Sequence, residues 1–207
     1  MLKANHIISK LYYNTFGRFI ICVKLYCNDL HEFNSNEKLE QYENFQFIIP
    51  TEKELFLLEK IYESNSIKLK IINDRIKRGN YICFAYQDKN NGNIAYTRWL
   101  CMNTFYSDTL RKQFSFSANE ALTLDSYTHP DYRYRGLHKN MNILMLKWIK
   151  ENTEIQHVYM VIKCFIPHLT KIPKELGYKP IEKTTYYKKG SISLIIKKVL
   201  EKIIPLC

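Results

Sequence analysis

The chain has 207 residues, 46% hydrophobic and 25% charged, with a formal net charge of +11; this fits one folded domain with a real core and excludes disorder as its main state. Its six glycines (Gly17, Gly79, Gly92, Gly136, Gly177, Gly190) stand far apart, which excludes the glycine-clustered dinucleotide turn, the Walker A loop and the nucleophile elbow. The charge is uneven: residues 129–207 carry 15 Lys and Arg against 6 Asp and Glu, so that part of the chain favours an anionic partner such as a phosphorylated cofactor, nucleic acid, an acidic carrier or a membrane surface.

In chain order, Phe19 to Tyr26 is β-branched and aromatic and reads as a strand; the polar, Asn- and Glu-rich stretch from Asn28 to Asn44 reads as a surface loop. Residues 1–44 form an N-terminal extension expected to pack on the domain. Phe45 to Ile49 is a short strand stopped by Pro50. Thr51 and Glu54 then form a capping box that opens a helix with Leu55, Leu58, Ile61 and Tyr62 at helical spacing. A second helix carries Ile67, Ile71, Ile72 and Ile76 and ends on Gly79 as a left-handed cap. Tyr81–Tyr86 and Ile94–Met102 are strands joined by Asn90-Asn91-Gly92-Asn93, a hairpin signal because Asn and Gly tolerate positive φ. Ala121–Thr128 is a strand ended by His129-Pro130. Leu137, Met141, Leu144, Met145 and Trp148 mark one face of a long helix, and His157–Lys163 is a near-continuous apolar strand. A short helix ends at Leu176-Gly177-Tyr178, and Ile181–Lys188 is a further strand. The strand-helix-strand unit at 121–163 is expected to be parallel, since its crossover helix carries the chain back over the sheet.

The tail, 191–207, places Ile192, Ile195, Ile196, Val199, Leu200, Ile203 and Ile204 on one face of a helix and lysines on the other. It reads as docking on its own domain, with contact to an anionic membrane as the other reading. Six cysteines without a CxxC pair, and no secretory signal ahead of them, read as thiols of a reducing cytoplasm. No transmembrane span is expected. The histidines show no ligand spacing, so no metal is expected.

The chemistry concentrates in Pro130-Asp131-Tyr132-Arg133-Tyr134-Arg135-Gly136-Leu137-His138, between a strand and a helix. Free amides and the helix dipole favour an anion there, Gly136 lets the backbone approach it, and Arg133 and Arg135 add charge-assisted contacts. At these residues the sequence resembles the GNAT superfamily of acyl-CoA N-acyltransferases, whose central motif has the core [QR]-x-x-G-x-[GA]. Arg133 to Leu137 follow that core, and His138 departs from it where a small residue is usual. Leu176-Gly177-Tyr178 resembles a second family feature, and the element order from Phe45 to Lys188 fits.

The resemblance implies a mixed, mostly antiparallel α/β sheet with a central splayed pair of parallel strands and flanking helices, over residues 45–190. It implies that the backbone of Ser126, Tyr127 and Thr128 holds the pantetheine arm of acetyl-CoA or another acyl-CoA. Arg133, Tyr134, Arg135, Gly136, Leu137, His138 and Lys139 would hold the pyrophosphate. A deprotonated primary amine would attack the thioester directly; an amino sugar or sugar nucleotide is the first guess, with a protein or small-molecule amine as the alternative acceptor and an acyl-carrier protein as an alternative donor. By strand alternation Ser126, Leu124, Leu122 and Glu120 are expected on the face of Thr128, with Asp125, Thr123 and Tyr127 on the other. Glu120 and Asp125 are the candidate bases. The family's usual general-acid tyrosine would fall at Pro173, which leaves His168 as the nearest titratable group. The rival reading is a non-catalytic basic module for nucleic acid or an anionic membrane, since Tyr132 to Arg135 and Tyr186 to Lys189 interleave aromatics with cations.

Overall fold

The structure is a computed structural model that describes residues 20–34, 42–51, 54–62, 66–107, 112–163 and 171–187. His168 and the tail 191–207 lie outside the described residues. The strands are β1 (Ile20–Asp29), β2 (Phe45–Ile48), β3 (Tyr81–Asp88), β4 (Ile94–Met102), β5 (Thr104–Ser107), β6 (Lys112–Ser115), β7 (Glu120–Thr128), β8 (His157–Lys163) and β9 (Lys179–Tyr187). The helices are α1 (Leu55–Tyr62), α2 (Ser66–Arg78), α3 (Leu137–Asn152) and α4 (Lys171–Glu175), with a 3-10 turn at Pro130–Tyr132.

Seven strands make one sheet in the order β2-β3-β4-β7-β8-β1-β9. Every neighbouring pair is antiparallel except β7 and β8, which run parallel as their crossover helix α3 requires. The N-terminal strand β1 is an interior strand, antiparallel to β8 on one side and β9 on the other. Asn28 of β1 is buried and donates through Nδ2 to the Leu176 carbonyl at 2.6 Å, which fixes the turn at Gly177 (φ +82°) against the sheet.

Both faces of the sheet are covered. On one, Leu137, Met141, Met145 and Leu146 of α3 pack on Phe84, Tyr96, Leu100, Ala121 and Val158. On the other, Leu58 of α1 and Ile72 of α2 pack on Cys83, Ala85, Ile94 and Trp99. Burial of apolar area on both faces, at about 25 cal/mol per Å², is the main force holding the layers together.

Local chemistry shapes the ends. The Glu54 carboxylate accepts from both the amide (2.9 Å) and the hydroxyl (3.0 Å) of Thr51, so the capping pair closes from the glutamate side. The β3–β4 connection is longer than a two-residue hairpin turn. The Asp88 carboxylate takes the Asn90 amide at 2.9 Å and gathers the loop, and only Gly92 has positive φ there. The sheet reading of 103–119 lacked the β5–β6 hairpin, a separate two-stranded sheet with Phe105 stacked on Phe114.

Candidate functional site

The site begins where two strands part. β7 and β8 pair from Glu120 with His157 to Thr123 with Met160. Beyond that point β7 runs on to Thr128 and β8 to Lys163 without pairing with each other, so a V-shaped opening lies between them. β7 also bulges at this point: Asp125 and Ser126 together stand opposite Arg98 of β4, and Asp125 has φ +43°.

The bulge reverses the strand's alternation, which corrects the expected faces. Cross-strand partners place Ala121 and Thr123, then Ser126 and Thr128, on the α3 face. Leu122 and Leu124, then Tyr127, lie on the α1–α2 face, where Leu124 and Tyr127 pack on the same cluster. Glu120 shares that second face, so it is on the opposite side from Ser126 and Thr128. The physical reason is the inserted residue: one extra position shifts a period of two by one face.

Under the opening, on the α3 face, sits a buried polar group that sequence reasoning missed. Arg98 is 3% exposed. It donates through Nη1 to Ser126 Oγ (2.7 Å) and through Nη2 to Thr123 Oγ1 (2.9 Å), and Thr123 in turn donates to the Tyr159 carbonyl (3.1 Å). One guanidinium thus ties together both sides of the bulge and the edge of β8. No carboxylate among the described residues pairs with it, and its Nε has no partner. The buried Tyr178 hydroxyl and Asn142 Oδ1 are unpartnered too. Buried polar groups are rarely left so; a buried cation with a free N–H at the bulge of the parting strand fits a site that receives a polar ligand. The available signal was Arg98 itself, the one charge in a nine-residue strand that is otherwise uncharged.

The loop from His129 to Gly136 leads from β7 to α3. Its anchor is Tyr132, buried, whose hydroxyl donates to Asp88 Oδ2 (3.0 Å) and whose ring packs edge-on against Phe45. Arg135 lies over that ring with its guanidinium carbon 5.3 Å from the centroid. Arg133 and Arg135 are exposed and each uses one N–H for a backbone carbonyl, Thr128 and Asp131 respectively. Tyr134 is exposed, with φ +65°. Gly136 is the N-cap of α3 at φ +71°, and no side chain caps the helix. The first-turn amides of a 16-residue helix therefore open onto a loop bearing two arginines and no acidic residue in the first turn.

The fold has counterparts among solved structures. A tandem GNAT protein from the clavulanic acid biosynthesis pathway aligns with a TM-score of 0.62 at 11% identity, covering 89% of this chain and 59% of that one. A GCN5-related glucosamine N-acetyltransferase region of a fungal multi-domain GH3 beta-N-acetylglucosaminidase aligns with a TM-score of 0.61 at 14% identity, covering 85% and 22%. AAC(6')-Iy, solved with a bisubstrate analog, CoA-S-monomethyl-acetylneamine, aligns with a TM-score of 0.52 at 12% identity, covering 71% of this chain and 99% of that one. The chain adopts the GNAT fold. It spans little more than half of the first of these relatives and under a quarter of the second. The sequence matches no family model and no curated protein.

Within the GNAT frame the predicted residues fall into two groups. Ser126 and Thr128 line the parting strand on the α3 side, and Arg133 to His138 lead into the helix. His138 does not block the helix start. Its ring turns inward, with Nδ1 2.7 Å from the Tyr96 hydroxyl. Burial, and then the nearby Arg98 charge, pull its pKa down to about 4, so it is neutral at pH 7. Lys139 faces Glu175 of α4 at 3.6 Å and links the two helices.

Asp125 forms an ion pair with Arg75 of α2, which also lies over the Tyr81 and Trp99 rings. Glu120 accepts from the Ser117 hydroxyl, the Tyr159 hydroxyl (2.6 Å) and the Ser117 amide (2.9 Å). These bonds, Ser117's first, pull its pKa down to about 2. Glu120 lines a cavity of about 460 Å³ on the α1–α2 face, with Leu122, Tyr159, Phe114, Phe116 and Glu182. Among the described residues no three His, Cys, Asp or Glu side chains gather as metal ligands, and no helix is long and apolar enough to cross a membrane.

Proposed function

We propose that this protein is an N-acyltransferase that moves an acyl group from an acyl-CoA thioester to a primary amine. The observation that carries this reading is the parting of β7 from β8 directly beside an uncapped helix N-terminus flanked by Arg133 and Arg135. An opening between strands takes an extended arm, and the helix start takes a pyrophosphate, in one continuous path.

When bound, acyl-CoA supplies the activated thioester carbonyl. The residues of this chain do the rest. Amides of the loop and first turn, with Arg133 and Arg135, bind the pyrophosphate. The backbone of Ser126 to Thr128, held by Arg98, positions the arm and polarises the carbonyl. The amine nitrogen, once it has lost a proton to water, bonds to the carbonyl carbon; the carbon–sulfur bond breaks, and the leaving thiolate takes up a proton. At a pKa of about 2 Glu120 is a weak base; its carboxylate orients the incoming ammonium, and the proton passes on through water. Asp125, held by Arg75, and His168 are the remaining candidates for proton transfer.

Acetyl-CoA is the simplest donor, and an acyl-carrier protein presents the same pantetheine arm with a complementary acidic surface. An amino sugar or sugar nucleotide is the acceptor class that the overall basic charge suits. The free thiols Cys27, Cys83 and Cys101 suit the reducing cytoplasm.

The test is release of free CoA from acetyl-CoA in the presence of a panel of primary amines. The reading expects amine-dependent release, which Glu120→Gln lowers about ten- to a hundredfold in kcat/KM without changing affinity for acetyl-CoA. Amine-independent release alone, or none with any amine, contradicts it.

A further inference from the structure

The cavity beside Glu120 narrows the acceptor, on the reading just given. Its wall is aromatic and aliphatic: Phe114 and Phe116 from the β5–β6 side, Leu122 of β7 and Tyr159 of β8, with Phe116 stacked on Tyr159 at 6.1 Å between centroids. Leu122 and Tyr159 are register partners one step before the last paired residues, so this part of the wall lies close to where the strands part. Its charges are carboxylates, Glu120 and Glu182, with no Lys or Arg among the lining residues.

Its rim has one irregular feature. Leu25 pairs with Glu182 and Tyr26 with Pro180, which leaves Ile181 as an extra residue in β9. That bulge exposes the Ile181 side chain (57%) at the cavity. An isoleucine in water at the mouth of an apolar cavity gains by being covered.

A neighbouring cavity of about 380 Å³ offers the contrary chemistry. It holds Arg75 and Arg78 together with Asp74 and Asp125. Its two arginines offset its two aspartates, so it offers an ammonium group less attraction than the Glu120 cavity does.

We infer that the acceptor is a cationic primary amine on an apolar or aromatic stem, with the stem between Phe116, Tyr159 and Ile181 and the ammonium held at Glu120, three register positions before the strands part. Two carboxylates attract an ammonium and repel a phosphorylated or nucleotide-linked sugar, so the wall chemistry overrides the guess drawn from net charge. A hydroxyl-rich sugar would leave its polar groups facing the apolar side chains of Leu25, Phe114, Phe116, Leu122 and Ile181.

The experiment is calorimetric titration of the full chain with 2-phenylethylamine, hexylamine, glucosamine and glucosamine 6-phosphate, with acetyl-CoA titrated into the same preparations. The two apolar amines are expected to bind at least about tenfold more tightly than either sugar. Phe116→Ala is expected to weaken 2-phenylethylamine about tenfold. Ile181→Lys, at an exposed position, is expected to abolish apolar-amine binding with the melting temperature unchanged. Tighter binding of either sugar, or no binding of the apolar amines to folded protein, overturns the inference. The acetyl-CoA arm separates this from the acyl-transfer reading: apolar amines that bind while acetyl-CoA does not support the cavity assignment and remove the donor, and the reverse pattern removes the cavity assignment alone.

Discussion

At the scale of single residues, His138 shows how a departure from a motif is accommodated. A side chain at the start of α3 would crowd a pyrophosphate if it pointed outward. It points inward, to Tyr96, and burial keeps it neutral. That arrangement has a cost in acid. Its folded pKa of about 4 lies below the ordinary 6.5, so between these values the unfolded chain binds the proton that the folded chain refuses. The penalty is absent above pH 6.5, grows as pH falls, and reaches at most roughly 3 kcal/mol near pH 4. Glu120 acts in a lower window: its contribution is complete above about 4.5 and is lost as pH falls through about 2. Chemical denaturation of His138→Gln against the parent between pH 7 and 4 is expected to show the variant gaining relative stability as pH falls. A constant difference over that range contradicts the burial argument. Arg98 teaches the opposite lesson about legibility. A lone arginine in an uncharged strand was readable as a buried cation with a purpose, but its partners, Ser126 and Thr123, become neighbours only through a bulge that leaves no mark in residue types.

At the scale of elements, the loop from β7 into α3 was legible because its cues are local. A glycine before a helix, arginines beside it and a proline after a strand act within a few residues of each other. The β5–β6 hairpin and the faces of β7 were not legible, since both depend on pairing with distant strands. The β7 bulge rests on Asp125 at φ +43°, a left-handed conformation that aspartate tolerates and β-branched residues do not. Asp125→Asn keeps that tolerance and loses the charge toward Arg75; Asp125→Val loses both. Equilibrium unfolding in urea is expected to place Val about 1–2 kcal/mol below Asn. Equal stabilities contradict a left-handed residue at 125. The same comparison asks whether Asp125 has a chemical role: the Asn variant keeps the bulge, so any loss of acyl transfer in it reports the carboxylate alone.

At the scale of the whole molecule, α/β class, the parallel β7–β8 pair and the order of elements from Phe45 onward, the β5–β6 hairpin apart, follow from hydrophobic period and punctuation in the sequence. The place of β1 does not. A strand near the N-terminus enters the sheet between β8 and β9, two strands more than 120 residues away in the chain, and no local pattern encodes which edge or slot it takes. The charge distribution was read correctly as basic in the last third, yet the cavity on the α1–α2 face is acidic and aromatic, because net charge averages over surfaces that face different ligands. The central claim is that one cleft, from the β7–β8 opening to the start of α3, holds acyl-CoA. Calorimetric titration of acetyl-CoA into the parent, Arg133→Glu and Gly136→Glu tests it most directly. Saturable one-to-one binding is expected for the parent, with loss in both variants; Arg133 is exposed, so its variant keeps the parent's melting temperature. Absence of heat at millimolar acetyl-CoA, or undiminished binding in both variants, contradicts the claim.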